Sequence, residues 1–137
     1  MLRDDIALGV ISTIRLNSMR LFPEIQKQTA IFDSSNTLIS FPSKYKDILF
    51  EAIHSSKMSD CELFPQHGTP FSQVGCEVND LEDIPHLKVE FGDMKVKVLG
   101  KDLIDVCIRK KLQFGGYTCL LKLEVEEGGL HVILGEF

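Results

Sequence analysis

The amino-acid sequence predicts a mainly β fold with one or two short helices, in a single domain over residues 1–137. Two observations favour this class. Short runs of apolar and β-branched residues recur between turn-forming residues along most of the chain. Only one stretch has the clear periodicity of an amphipathic helix. A chain of 137 residues is also long enough to bury a core of its own.

The first half of the chain contains two predicted strand regions. Residues 6–16, IALGVISTIRL, are apolar and β-branched at a spacing typical of a strand. Residues 20–33 predict a hairpin, with a turn near Pro23 and Glu24 and a return strand that ends at Asp33.

The second half contains the clearest hairpin, over residues 86–99. Apolar residues alternate with charged residues on both arms, and Gly92-Asp93 forms a two-residue turn between them. Such alternation indicates a sheet with one buried and one exposed face. Two more strands are predicted around Gly128-Gly129, within residues 117–135.

One helix is predicted over residues 43–55, after the helix-start residues Pro42 and Ser43. Its apolar face contains Tyr45, Ile48, Leu49, Ala52 and Ile53. These residues and Phe41 are assigned to the core. A second helical turn is predicted near residues 101–105, and residues 55–75 are predicted to be irregular, with one short strand at most.

Charge and hydropathy disfavour two classes of partner. The net charge is −5, and the only basic cluster, Arg109 to Lys111, is interpreted as a loop, so no nucleic-acid partner is expected. No apolar run approaches the ~20 residues that span a bilayer, so no membrane segment is expected. The first residues do not have the pattern of a signal peptide.

The chain contains four cysteines, Cys61, Cys76, Cys107 and Cys119. This even number suits two disulfides, for which three pairings are possible, and four buried thiols are the alternative. The spacing of the cysteines and histidines matches no common zinc pattern, so no metal is predicted.

The most informative carboxylate is Asp33, which lies between two apolar runs. Asp and Ser are common turn formers, so a turn aspartate is the simplest interpretation of these residues alone. The residues that follow it are Ser34, Ser35, Asn36 and Thr37. An apolar strand, Asp, small hydroxyl residues, a second strand, Pro42 and a helix together resemble the second active-site motif of the pepsin-like, two-lobe aspartic proteases.

Other motifs of that family occur in the same order. The segment IPHLKVEFGDMKVKVLGKDLI resembles the family's hairpin, and LHVILGEF resembles the apolar-apolar-Gly motif that supports each active-site loop. Cys76 and Cys119 resemble the cysteines of the C-lobe disulfide, which implies a Cys76–Cys119 bond and leaves Cys61–Cys107 as the second. The resemblance covers residues 8–137 and implies most of a C-terminal lobe.

The resemblance implies an aspartic endopeptidase in which Asp33 is one of two catalytic carboxylates. The second carboxylate would come from a missing N-terminal lobe of the same protein, since no second such motif occurs here, so this chain alone is not expected to be active. The substrate would be a peptide or protein, without a metal or organic cofactor. Ser34 would tie the two loops together. The remaining support of the loop would come from Ser35, Asn36, Thr37, Ile133, Leu134 and Gly135.

Two positions depart from the family pattern. Ser35 replaces the usual glycine, and Asn36 replaces the usual hydroxyl residue. These departures leave open a catalytically inactive relative that binds peptides or proteins. A one-lobe protease that dimerises so that two copies of Asp33 meet is a third hypothesis. The implied location is the secretory pathway, an acidic vacuole or lysosome-like compartment, or the extracellular space.

Overall fold

The computed structural model describes residues 6–11, 13–16, 19–21, 28–33, 37–54, 58–91, 94–109, 116–129 and 132–134. Twelve strands and one α-helix lie within these ranges, and they establish the predicted mainly β class. The strands are β1 Ile6–Ile11, β2 Thr13–Leu16, β3 Met19–Arg20, β4 Gln28–Asp33, β5 Ile39–Pro42, β6 Ser59–Pro65, β7 Phe71–Val78, β8 Leu87–Phe91, β9 Met94–Val98, β10 Ile104–Arg109, β11 Tyr117–Glu126 and β12 Val132–Leu134.

The helical elements agree with the predicted positions. A 3-10 turn at Ser43–Tyr45 leads into α1, Lys46–His54. Pro42 precedes this turn with φ −56°, a value that its ring favours and that suits a helix start. Leu49, Ala52 and Ile53 are buried on the predicted apolar face of α1. The predicted second turn is the 3-10 helix Gly100–Leu103, and a further 3-10 turn covers Leu81–Asp83.

The described strands form two sheets. The larger has the order β1-β4-β12-β5-β11-β7-β6, with β10 paired to one part of β11. The smaller has the order β3-β2-β8-β9. Buried residues of both sheets and of α1 form one hydrophobic core, which includes Ile14, Phe41, Leu49, Leu87 and Leu121. Phe41 and Tyr45 belong to this core, as the sequence predicted.

The predicted hairpin over residues 86–99 is confirmed as the antiparallel pair β8 and β9. Leu87 lies opposite Val98, and Phe91 lies opposite Met94. The predicted turn residues Gly92 and Asp93 lie outside the described residues. Leu87 and Val98 are buried while Lys88 and Lys97 are exposed, because alternate side chains of a strand point to opposite faces.

Two sequence predictions about strands are wrong. The hairpin predicted over residues 20–33 does not form, because its return strand, β4, pairs with β1 and β12 in the larger sheet, whereas Arg20 belongs to β3 in the smaller sheet. Its predicted turn near Pro23 lies outside the described residues. Residues 55–75, predicted to be irregular apart from one short strand, contain the seven-residue strand β6 and the start of β7, which pair with each other. β10 was not predicted as a strand at all.

Candidate active-site loop

Asp33 is the last residue of β4. The backbone of β4 pairs with two strands: it is antiparallel to β1, where Asp33 lies opposite Ile6, and parallel to β12. In the second pairing, Leu134 lies opposite Phe32, which immediately precedes Asp33. Asp33 therefore ends a strand that is paired on both sides.

β12 lies between β4 and β5, although β4 and β5 are consecutive strands. Ile133 of β12 lies opposite Ile31 on one side and opposite Ser40 of β5 on the other. Neighbouring strands are about 4.8 Å apart, so β4 and β5, on either side of β12, are roughly 10 Å apart. The residues that the resemblance singled out lie in this stretch of sequence, between the end of β4 at Asp33 and the start of β5 at Ile39.

The predicted loop-support residues fall in different places. Leu134 is buried and Ile133 is half-buried, both in β12. Thr37 is exposed, two residues before β5 begins. Three loop residues and the final glycine lie outside the described part of the chain: Ser34, Ser35, Asn36 and Gly135.

Polar side chains on the neighbouring strands β5, β7 and β11 are also buried, and sequence reasoning missed them. Ser40 is fully buried, and its Oγ has no hydrogen-bond partner among the described residues. Glu124 of β11 lies opposite Ser40 on one side and opposite Gln73 of β7 on the other, and both are buried. Ser40 lies between Ile39 and Phe41, and in an alternating strand such a serine is expected on the exposed face. The sequence therefore did not predict its burial.

Two disulfides are present, but their pairing differs from the one that the resemblance implied. Cys61 bonds Cys76, and Cys107 bonds Cys119. The implied pairs Cys76–Cys119 and Cys61–Cys107 are therefore wrong for this structure. Each observed bond joins two neighbouring strands, β6 to β7 and β10 to β11. Cys61 and Cys107 lie on strands separated by β7 and β11, too far apart to bond.

Two prominent cavities are lined by described residues, and the lining of these two includes no residue of β4, β5 or β12. One of about 410 Å³ lies over the Cys61–Cys76 disulfide. The other, of about 340 Å³, is lined by Leu81, Glu82, Ile84, His86, Leu99 and Lys101. The described residues contain no group of three His, Cys, Asp or Glu side chains that could hold a metal. No described helix is long and apolar enough to cross a membrane.

Comparison with known proteins gives no family for this chain. No family model matches it, and no curated protein is significantly similar to it in sequence. The two disulfides are typical of proteins that mature in an oxidising environment, such as the secretory pathway or the extracellular space.

Proposed function

We propose that this chain is part of an aspartic-type endopeptidase in which Asp33 is one of two catalytic carboxylates. One observation carries the proposal: β4 ends at Asp33, and β12 separates β4 from β5, the strand that follows in sequence. The connection over residues 34–38 is thus held at both ends by strands that flank a third strand. A carboxylate at the start of such a connection has a fixed backbone, and catalysis depends on that kind of positioning.

The chemistry needs two carboxylates side by side. Two such groups cannot both ionise easily, so they share one proton. The ionised carboxylate activates a water molecule, and the protonated one polarises the carbonyl of the scissile peptide bond. The second carboxylate comes from an N-terminal lobe of the same protein. The substrate is a peptide or protein, and the reaction uses no metal or organic cofactor.

The sheet explains why β12 matters to this function. Leu134 is buried and lies opposite Phe32, the residue before Asp33. Ile133 lies opposite Ile31 of β4 on one side and opposite Ser40 of β5 on the other. Because β12 fills the space between β4 and β5, the two ends of the loop keep a constant separation. The expected location is an acidic vacuole, a lysosome-like organelle or the extracellular space. At acidic pH the two carboxylates retain their shared proton, and the pair stays active.

The first test is the intact mass of the protein from its native source, followed by peptide hydrolysis by that protein. A single chain of about twice 15.4 kDa or more is expected, since the proposal requires a second lobe. Fluorogenic peptides should be cleaved fastest at acidic pH. Asp33→Asn should abolish cleavage, whereas Asp102→Asn, at an exposed carboxylate of a 3-10 helix, should leave the rate unchanged. Equal rates for the two variants would exclude Asp33 as a catalytic group.

A second candidate function is supported by Ser35 and Asn36, which replace the glycine and hydroxyl residue of the motif. The protein would then be an inactive relative that binds peptides or proteins. Peptide binding without turnover, unaffected by Asp33→Asn, would support it. In that case the double change Ser35→Gly and Asn36→Thr should restore measurable cleavage. A native mass of 15.4 kDa with activity that requires a dimer would instead favour a one-lobe enzyme.

A further inference from the structure

The four cysteines occupy one row across four neighbouring strands, β6, β7, β11 and β10. In that order the residues are Cys61, Cys76, Cys119 and Cys107. Both disulfides join an outer member of the row to an inner member, with Cα atoms 4.0 Å apart in each. The two inner cysteines, Cys76 and Cys119, lie directly opposite each other in the β7–β11 ladder although no bond joins them.

The two inner cysteines meet the geometric requirement for a disulfide of their own. Residues directly opposite in an antiparallel ladder have Cα atoms about 4.5–5.5 Å apart, which is within the range found for disulfides. Because they are opposite, both side chains lie on the same face, and both are buried in the core. Cys61 and Cys107 are three strand spacings apart, roughly 14 Å, and cannot bond to each other.

We infer that this row is a site of thiol–disulfide interchange, in which reduction of one outer disulfide transfers the bond to Cys76–Cys119. The inference does not depend on the proposed protease function. It rests on the register that places all four sulfur-bearing residues side by side, so that each inner cysteine has two possible partners.

The exposure of the cysteines gives the order of events. Cys61 and Cys107 are half-buried, whereas Cys76 and Cys119 are almost fully buried. The cavity of about 410 Å³ lies over the Cys61–Cys76 bond and gives a small thiol access to it. The thiolate of a low-molecular-weight thiol attacks Sγ of Cys61, and Cys76 leaves as a thiolate.

Two further exchanges complete the reaction. The Cys76 thiolate attacks Sγ of Cys119, the Cys107–Cys119 bond breaks, and Cys107 leaves as a thiolate that takes up a proton. A second thiol then attacks the external sulfur of the mixed disulfide and releases Cys61, which is also protonated. In total, two external thiols become one external disulfide, and the protein exchanges two disulfides for one disulfide and two thiols.

The transfer moves the covalent link from the two outer strand pairs of the row to its middle pair, β7 and β11. The observed bonds close loops with sequence separations of 15 and 12 residues. A Cys76–Cys119 bond has a separation of 43 residues, 119 minus 76, and a longer loop restricts the unfolded chain more. The one-disulfide protein is therefore more stable with the inner bond than with either outer bond. β6 and β10 then lose their covalent attachment to the neighbouring strands.

The first experiment is partial reduction of the oxidised protein by glutathione at increasing concentration, with rapid alkylation of free thiols by N-ethylmaleimide. Non-reducing digestion and mass spectrometry then locate the remaining bond. The expected main one-disulfide species has Cys76–Cys119 bonded and alkyl groups on Cys61 and Cys107. A species that keeps either outer disulfide, or passage to four thiols without any one-disulfide species, would overturn the inference.

The second experiment uses two matched variants, Cys61→Ser and Cys107→Ser, each equilibrated in a glutathione buffer. Each variant leaves one inner cysteine without its observed partner. Interchange predicts that both variants form Cys76–Cys119, with a free thiol at Cys107 in the first and at Cys61 in the second. Retention of Cys107–Cys119 in Cys61→Ser and of Cys61–Cys76 in Cys107→Ser would refute interchange. Partial reduction of the unaltered chain still decides the matter if a variant does not fold.

Discussion

Gln73 donates a hydrogen bond from Nε2 to Oδ2 of Asp105 over 2.8 Å, and this bond connects β7 to β10 across β11. The same Nε2 donates to the carbonyl oxygen of Leu121 in β11 over 2.9 Å. Gln73 is buried, and its Oε1 accepts a weaker bond of 3.3 Å from Gln66. One amide thus joins three neighbouring strands, and it can do so because an amide carries two donor hydrogens and an acceptor.

The first prediction concerns the pH dependence of the Gln73→Glu variant. An ionised carboxylate cannot donate to Asp105 or to the Leu121 carbonyl, and burial beside Asp105 raises the pKa of the introduced carboxyl. The neutral form of the introduced carboxyl is compatible with folding. The variant therefore keeps its stability below the carboxyl's unfolded pKa of about 4.3 and loses it as the pH rises through the higher pKa of the folded state. We expect urea unfolding to show about 2 kcal/mol more destabilisation at pH 7 than at pH 4, relative to the unaltered chain.

Gln73→Met is the control, since it has a similar volume and no titrating group. The variant should be destabilised by about 1–3 kcal/mol, because the Leu121 carbonyl loses its donor. The loss should be the same at pH 4 and pH 7, since methionine does not titrate. Equal pH profiles for the two variants would show that the carboxyl is solvated at this position.

The second prediction concerns a close backbone approach at Gly100. A Cβ at this residue would collide with the main-chain carbonyl oxygen of Ile84, and its N–H donates a 2.8 Å hydrogen bond to Nδ1 of His86. Because backbone cannot move aside cheaply, Gly100→Ala should lower the free energy of unfolding by about 2–3 kcal/mol in urea titrations.

Gly75→Ala is the matched comparison. There the obstacle is the ring of Phe64, whose side chain is 40% exposed and free to rotate away. We expect a loss of about 1 kcal/mol or less. A loss as large as that of Gly100→Ala would mean that the Phe64 ring is fixed on the sheet.

The third prediction separates support of the loop from general stability. Leu134→Ala and Leu103→Ala each remove a buried leucine, so each should cost about 2–4 kcal/mol. Under the proposed function, Leu134→Ala should also lower kcat about tenfold or more, because Leu134 lies beside the strand that ends at Asp33. Leu103→Ala, in the 3-10 helix before β10, should leave the kcat of the folded protein unchanged. Equal kcat values for the two variants would show that β12 does not support catalysis.

The fourth prediction concerns the exposed edge of the larger sheet. Ile108 is 70% exposed on β10, which pairs only with β11 among the described strands. Ile108→Lys should change stability by less than about 0.5 kcal/mol. It should also reduce self-association at high concentration, measured by light scattering, because charges on edge strands oppose edge-to-edge pairing.

The sequence was sufficient where a residue's neighbours along the chain decide its structure. The i, i+3, i+4 spacing of α1 and the alternation of β8 and β9 are local patterns, and both elements form as predicted. It was insufficient for β7, where Gln73 and Gly75 are typical of loops. These two residues are buried because β6 and β11 flank them, and that context is not visible in a local pattern.

Pairing was the other limit. The return strand predicted to end at Asp33 forms as β4, but its composition does not specify which strands it joins. The cysteines show the same limit, because four of them in one row across the sheet allow bonds that their sequence spacing does not distinguish. Asp33 was selected by its motif, and the position of β12 between β4 and β5 was found only in three dimensions.

The placement of β12 has a consequence for the order of folding. Ala30 pairs with Val132 in a parallel ladder, a contact that spans more than a hundred residues of sequence, 132 minus 30. Such distant contacts form late, because the entropy of closing a long loop must be overcome first. While the chain is being synthesised, β4 and β5 must wait for a partner that emerges from the ribosome after every other described strand. Until then the edges that face β12 are open to pairing with the wrong strand or with another chain.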